Sequence, residues 1–281
     1  MTRRGGTTTG PADGPALGRA PYLLLVPAVL GVVFLALPLA ALLVRTPWSD
    51  LGTRLTDPAI LDALRLSLVT SLAALAIVEV VGIPLAWLLA RVDVPGRAVV
   101  RTLVVVPLVL PPVVAGVSLL VAFGRRGLVG GPLYDWFGVS LPYTTAAVVV
   151  AHAFVALPFF VLSVEGALRA GNPELDVVAA TLGADRWTTF RRVSLPLAAP
   201  GLLAGSVLAW ARAIGEFGAT ITFAGNFQGT TRTMPNAIYV ALQTDQEAAV
   251  VLSVILLLVC VVVLALFRER WFDPVLRGGR P

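Results

Sequence analysis

The sequence predicts an all-α membrane protein, a bundle of six transmembrane helices, on three observations. Of its 281 residues, 57% are hydrophobic and only 13% are charged, which is too apolar for a soluble domain of this length. Six apolar stretches reach the roughly 20 residues that a spanning helix needs; they cover 22–44, 66–90, 98–123, 143–164, 197–217 and 248–267. Between the fourth and the fifth lies a mostly polar interlude, N-P-E-L-D-V-V-A-A-T-L-G-A-D-R-W-T-T-F-R-R-V-S-L-P-L-A-A-P from Asn172 to Pro200. It is patterned as a short helix, a turn and a second helix.

Taken in order, residues 1–20 are rich in Gly, Thr, Pro and Arg, and this composition predicts a disordered, cytoplasmic N-terminus. The remainder, 21–281, reads as one transmembrane domain. The span 22–44 is longer than the apolar region of a signal peptide and five more spans follow, so it is expected to be an uncleaved first membrane helix. Residues 45–65, with Trp48 and alternating Asp and Arg, read as a solvated connector. The second span carries Glu79 at its middle, an expensive place for a carboxylate unless it faces the bundle. A structural or pore-facing role is expected there, ahead of proton coupling. After the third span, Gly130-Gly131-Pro132 and Trp136 suggest an interfacial turn or a contact for an external protein. The fourth span holds His152, for which packing is expected. Several spans contain Pro, which membrane helices tolerate where neighbours re-satisfy the freed backbone groups.

The interlude follows from helix-end chemistry. Asn172 can cap a helix whose first position is Pro173, and Glu174 and Asp176 then lie where the helix dipole favours negative charge. Leu175, Val178, Ala179 and Leu182 fall at i, i+3, i+4 and i+7 and make one apolar stripe. Gly183 ends the helix, because a left-handed residue costs glycine little. Asp185 can cap a second turn through Trp187 and Phe190.

In the fifth span Gly201, Gly205, Ala209 and Ala213 repeat every four residues, a ridge that lets another helix approach closely. Arg212 and Glu216 are spaced to pair on one face. Beyond them Gly215, Gly218 and Gly225 interrupt the helical pattern, while Thr220, Thr222 and Asn226 supply hydroxyls and an amide. Non-helical backbone at membrane depth is tolerated only where it is buried in protein or lines a cavity. Arg212, Glu216, Gly218, Thr220, Thr222 and Asn226 are therefore the expected translocation path. Donors without a fixed full charge suit an oxyanion that must pass through. The last span carries Cys260.

All 21 basic residues are arginine. A phosphate-binding P-loop needs a lysine, so a standard ATP site is excluded and any ATP-driven step falls to a partner. One cysteine and one histidine rule out an internal disulfide, a thiolate cluster and a His-rich metal centre; neither metal nor cofactor is expected, and no enzyme signature remains. Basic and aromatic residues do not cluster on a soluble module, so nucleic acid is not an expected ligand. With both termini in the cytoplasm, fourteen arginines fall on that side and six on the other, with Arg212 inside a span. The positive-inside rule therefore puts the 165–196 loop in the cytoplasm of a multi-pass cell-membrane protein.

The interlude resembles the cytoplasmic "EAA" loop of binding-protein-dependent ABC importer permeases. That pattern is E-A-A, three residues, Gly, nine residues, I-x-L-P. Val177, Val178 and Ala179 occupy the first positions, Gly183 the glycine, and Val193, Leu195 and Pro196 the close; Asp176 precedes the valine that stands where the family has Glu. The runs A-R-A-I-G-E-F-G-A-T-I-T-F-A-G-N (211–226) and T-R-T-M-P-N-A-I-Y-V-A-L-Q (231–243) are similar to the matching segments of molybdate permeases. Sulfate and thiosulfate permeases share the G-E-F-G core. The resemblance covers about residues 60–270 and implies a type I importer bundle. It further implies a homodimer of this permease in membrane lipid, two copies of a separate ABC ATPase docked on the 165–196 loop, and a periplasmic or lipid-anchored molybdate-binding protein. The substrate it implies is molybdate, or tungstate. A sulfate or thiosulfate permease is the nearest alternative, and a proton-coupled secondary transporter is the alternative from another class.

Overall fold

The structure, a computed structural model, describes residues 22–93 and 95–277, the side chains of 267–277 excepted. The segment 1–20, expected to be disordered, lies outside the described residues. The chain divides into a first unit ending at Thr46 and a second from Pro47 onward. The first contains α1 (Tyr22–Arg45). The second contains α2 (Leu51–Leu55), α3 (Pro58–Arg91), α4 (Arg97–Val109), α5 (Pro112–Phe123), α6 (Gly130–Phe137) and α7 (Thr145–Ala170). It continues with α8 (Glu174–Thr181), α9 (Arg186–Thr189), α10 (Leu195–Leu197), α11 (Ala199–Ile214), α12 (Gly218–Phe223), α13 (Met234–Thr244) and α14 (Gln246–Arg277). Every regular element among the described residues is helical.

Four helices, α1, α3, α7 and α14, are long and apolar enough to cross a membrane. A fifth crossing is available if Arg186–Leu197 and α11, bent by 71° at Ala198, form one span. The expected span 98–123 is corrected: it is not one helix but two, α4 of 13 residues and α5 of 12. At 1.5 Å per residue each is about 18–20 Å long, short of a hydrocarbon core of roughly 30 Å. The break has a local cause. Leu110 precedes Pro111-Pro112 and takes an extended ψ of 130°, and Pro111 follows with ψ of 138°; a residue before proline is sterically pushed out of the helical region. The 45–65 connector is also more ordered than expected. Asp57 accepts the Ala59 N–H at 2.8 Å with Pro58 in the first turn, so α3 starts eight residues before the apolar stretch does.

The second unit packs around α7. Phe160 of α7 is fully buried, and the residues that make room for it are glycines. A side chain on Gly82 of α3 would meet the Phe160 ring at 2.6 Å, and one on Gly205 of α11 would meet it at 3.3 Å. The small ridge of α11 is used as the spacing predicts: Gly201 lies against Ala167, Gly205 against Ser163, and Ala209 and Ala213 are fully buried. A second apolar cluster joins α5, α7 and α12, and a third joins the start of α3 to α13 and α14. In that third region the buried Ser67 hydroxyl accepts the Met234 N–H at 2.7 Å. Arg54 also pairs with Asp245 at 2.8 Å.

Candidate functional site

Two regions carry the residues expected to act. The first is the hairpin of α8 and α9. Asn172 accepts the Glu174 N–H through its side chain at 2.9 Å, and the helix begins at Glu174, one residue later than expected. Gly183 has φ of +85°. Its N–H donates to the Ala180 carbonyl, and that of Ala184 donates to the Ala179 carbonyl, both at 3.0 Å. This crossed pair is the Schellman helix stop. Asp185 caps α9, its carboxylate accepting the Thr188 N–H at 2.8 Å. The Thr188 side chain and, after it, this N–H bond hold the carboxyl below its ordinary pKa.

The apolar stripe is present but largely uncovered. Leu175, Val177 and Val178 are exposed, Leu182 is 83% exposed and Trp187 65% exposed; Ala179 is partly covered. Glu174, Asp185 and Arg186 beside this apolar patch are exposed as well. Phe190 lies between two tryptophans, its ring 5.6 Å from that of Trp187 and 5.7 Å from that of Trp87 on α3. Asp176 turns inward. It accepts the Ser194 hydroxyl at 3.0 Å and lies 3.4 Å from Arg91 Nε.

The second region is the joint between α11 and α12. Arg212 and Glu216 pair at 2.5 Å, with Glu216 1% exposed. The other carboxylate oxygen of Glu216 accepts the Ala219 N–H at 2.8 Å, so one side chain both neutralises Arg212 and caps α12. The segment expected to be non-helical is corrected: 218–223 is helical, and the irregular backbone is confined to 215–217 and to the stretch after Phe223. The reason is that Glu216 supplies the acceptor that the new helix start requires. Gly218 and Gly116 permit close crossing of α5 and α12; a side chain on Gly218 would meet Pro112 at 2.5 Å, and one on Gly116 would meet Thr222 at 2.6 Å. The Thr222 hydroxyl donates to the Gly218 carbonyl at 2.8 Å. Thr220 is fully buried and its hydroxyl has no partner among the described residues. Asn226 accepts from Arg232 Nε at 3.1 Å.

Other polar groups, buried or partly buried, lie outside both regions as read from sequence. Glu79 accepts the Ser206 hydroxyl at 2.6 Å, which joins α3 to α11. Glu165 is 1% exposed and pairs with Arg101 at 2.9 Å and Arg169 at 2.8 Å; the i, i+4 spacing of Glu165 and Arg169 was its one sequence signal. His152 is fully buried with neither ring nitrogen paired among the described residues. No group of three or more His, Cys, Asp or Glu among the described residues could hold a metal.

Comparison with known proteins places this geometry. Residues 82–278 match the family model "Binding-protein-dependent transport system inner membrane component". The molybdenum transport system permease protein ModB of Mycobacterium tuberculosis H37Rv is 49% identical over 245 residues, 86% of this chain and 92% of that protein. Its counterpart from Escherichia coli K12 is 41% identical over 223 residues, 79% of this chain and 97% of that one. The sulfate transport system permease protein CysT of E. coli K12 is 36% identical over 232 residues, 80% and 82% of the two chains. Among solved structures, a bacterial ABC transporter involved in the import of the acidic polysaccharide alginate superposes with a TM-score of 0.74 over 90% of this chain and 94% of its own, at 19% identity; that likeness is one of fold. The chain belongs to the family of binding-protein-dependent transport system inner membrane components.

Proposed function

We propose that this chain is the membrane-spanning permease of an ATP-driven importer of molybdate, and of tungstate by the same chemistry. The observation that carries the mechanism is the uncovered apolar face of Leu175, Val178, Leu182 and Trp187 on a rigidly capped hairpin. The substrate rests on 49% and 41% identity to molybdenum permeases against 36% to a sulfate permease. Two copies of the chain form the pathway, six spans each, with α4 and α5 together making the third crossing. Both termini and the α8–α9 hairpin lie in the cytoplasm, a reading supported by the arginine distribution. A separate ATPase, two copies per assembly, receives each hairpin, and an external binding protein delivers the anion. Closure of the ATPase pair draws the two hairpins together, and the bundles re-orient to open the path outward.

The path runs beside the α11–α12 joint, where Arg212, Glu216, Gly218, Thr220, Thr222 and Asn226 lie. Glu216 cancels the Arg212 charge, so an oxyanion passing there does not lodge on that guanidinium. Reconstitution tests the whole reading. Liposomes holding the permease, the ATPase and the binding protein should accumulate labelled molybdate only with internal ATP, and sulfate at least tenfold less. Uptake that needs no ATPase and follows a proton gradient overturns it in favour of a secondary carrier. Preferential sulfate uptake overturns the substrate alone.

A further inference from the structure

The end of α3 meets the α8–α9 hairpin through Arg91 and Trp87. Arg91 is the final residue of α3. Its Nη2 donates to the Gly171 carbonyl at 3.3 Å, just past the end of α7, and its Nε lies 3.4 Å from Asp176 on α8. The other oxygen of Asp176 takes the Ser194 hydroxyl at 3.0 Å. One turn back on α3, Trp87 meets the Phe190 ring edge-on. Arg169 adds a bond to the Leu89 carbonyl at 3.1 Å, and Arg97 donates to the same oxygen. The Leu89 carbonyl in the last turn of the helix is thereby used. The Arg91 and Asp176 side chains are only 13% and 25% exposed. Between them and Trp87, Arg186, Phe190 and Ser194 lies a cleft of about 610 Å³.

We infer that Arg91 and Asp176 form a latch that makes α8 and α3 one rigid body, so that any displacement of the hairpin is passed into α3 directly and not only through the covalent joint to α7. Asp176 is thus a positioning residue for transport. The inference rests on the reading that α8 docks on an ATPase. The register of the acidic residue supports it. Val177, one residue and about 100° further round the helix, is exposed; a carboxylate there would be open to a partner protein. Asp176 instead aims its charge back into its own chain. The lever it pushes is long. α3 has 34 residues, about 51 Å at helical rise, and toward its opposite end Ser67 holds the first N–H of α13. The latch therefore links the hairpin mechanically to the segment that follows Asn226.

The test uses the full complex in liposomes and reads three quantities: ATPase bound, ATP hydrolysed and molybdate taken up. Asp176→Asn and Arg91→Gln should each lower uptake per ATP by about fivefold, the upper end for a partly exposed ion pair, with the ATPase still bound and hydrolysing. Replacing both by cysteine in a Cys260→Ser background should give the same loss, and joining the pair with a short bifunctional thiol reagent should restore uptake. Normal uptake per ATP in the single variants overturns the latch, as does uptake that stays low or falls on joining the pair. Loss of the bound ATPase from Asp176→Asn would place Asp176 in the docking face and also overturn it. Leu182→Asp serves as the separate control: if it keeps full ATPase binding, the docking reading fails whatever the latch variants do.

Discussion

At the scale of single residues, Glu216 has two tasks, and substitution can separate them. Glu216→Gln keeps an oxygen for the Ala219 N–H but abandons Arg212, while Glu216→Ala removes both partners. Breaking a buried ion pair is costly, although the partial exposure of Arg212 lets water recover some of the loss. We expect Gln to lower thermal stability in detergent by about 1–3 kcal/mol, and Ala to lower it further. Equal losses would remove the capping role. Asp185 offers a pH readout. Its folded pKa is below the ordinary 3.8 because the Thr188 hydroxyl and then the Thr188 N–H favour the ionised carboxylate. Its contribution is therefore complete above the ordinary value and disappears as acid titrates through the lowered one. Amide exchange at Thr188 should be slow and flat from pH 8 to 5, apart from intrinsic chemistry, and lose its protection only at strongly acid pH. Asp185→Asn should shift that loss out of the titration altogether.

At the scale of elements, the α8–α9 elbow depends on Gly183, whose φ of +85° has nothing crowding it but is open cheaply only to glycine. A valine there disfavours the left-handed turn by about 1–2 kcal/mol. Gly183→Val should insert and assemble normally, yet lose most uptake while ATP hydrolysis continues; full uptake would count against a rigid elbow. The elbow was legible in the sequence because all of its causes are local: a capping Asn172, a stripe at helical spacing, a glycine and a second cap at Asp185. The ridge of Gly201, Gly205, Ala209 and Ala213 was legible for the same reason. The division of 98–123 was equally local, since Pro111-Pro112 stands in plain view, but apolar length outweighed it. The start of α12 at Gly218 was hidden because its stabilising acceptor, Glu216, had already been assigned to Arg212. A carboxylate has two oxygens, and the i, i+4 spacing accounts for only one of them.

At the scale of the whole molecule, what the sequence could not show is what joins distant segments. Arg91 and Asp176 stand far apart in the chain, Glu79 and Ser206 are 127 residues apart, and no periodicity connects either pair. Family membership was readable from two motif runs, but the use of Asp176 inside its own chain was not. The pairing of Glu79 bears on the class of transporter. A carboxylate that accepts a hydroxyl between α3 and α11 serves packing, and Glu79→Gln can preserve that contact. ATP-driven uptake by this variant should stay within about twofold of the parent, since a neutral hydrogen bond is worth only about 1 kcal/mol, and should show no new dependence on external pH. Collapse of uptake with intact assembly would return Glu79 to a proton-coupling role.

The bond from the Met234 N–H to Ser67 spans 167 residues of chain. At ribosomal speeds of roughly 5–20 residues per second, α3 must wait on the order of 10–30 s for its partner to be synthesised. During that interval Ser67 has no Met234 to meet, and a nascent chain stopped short of residue 234 never supplies it. Such a fragment carries its first long helices into the bilayer with a polar notch still open. Only synthesis through Met234 supplies the donor that closes it.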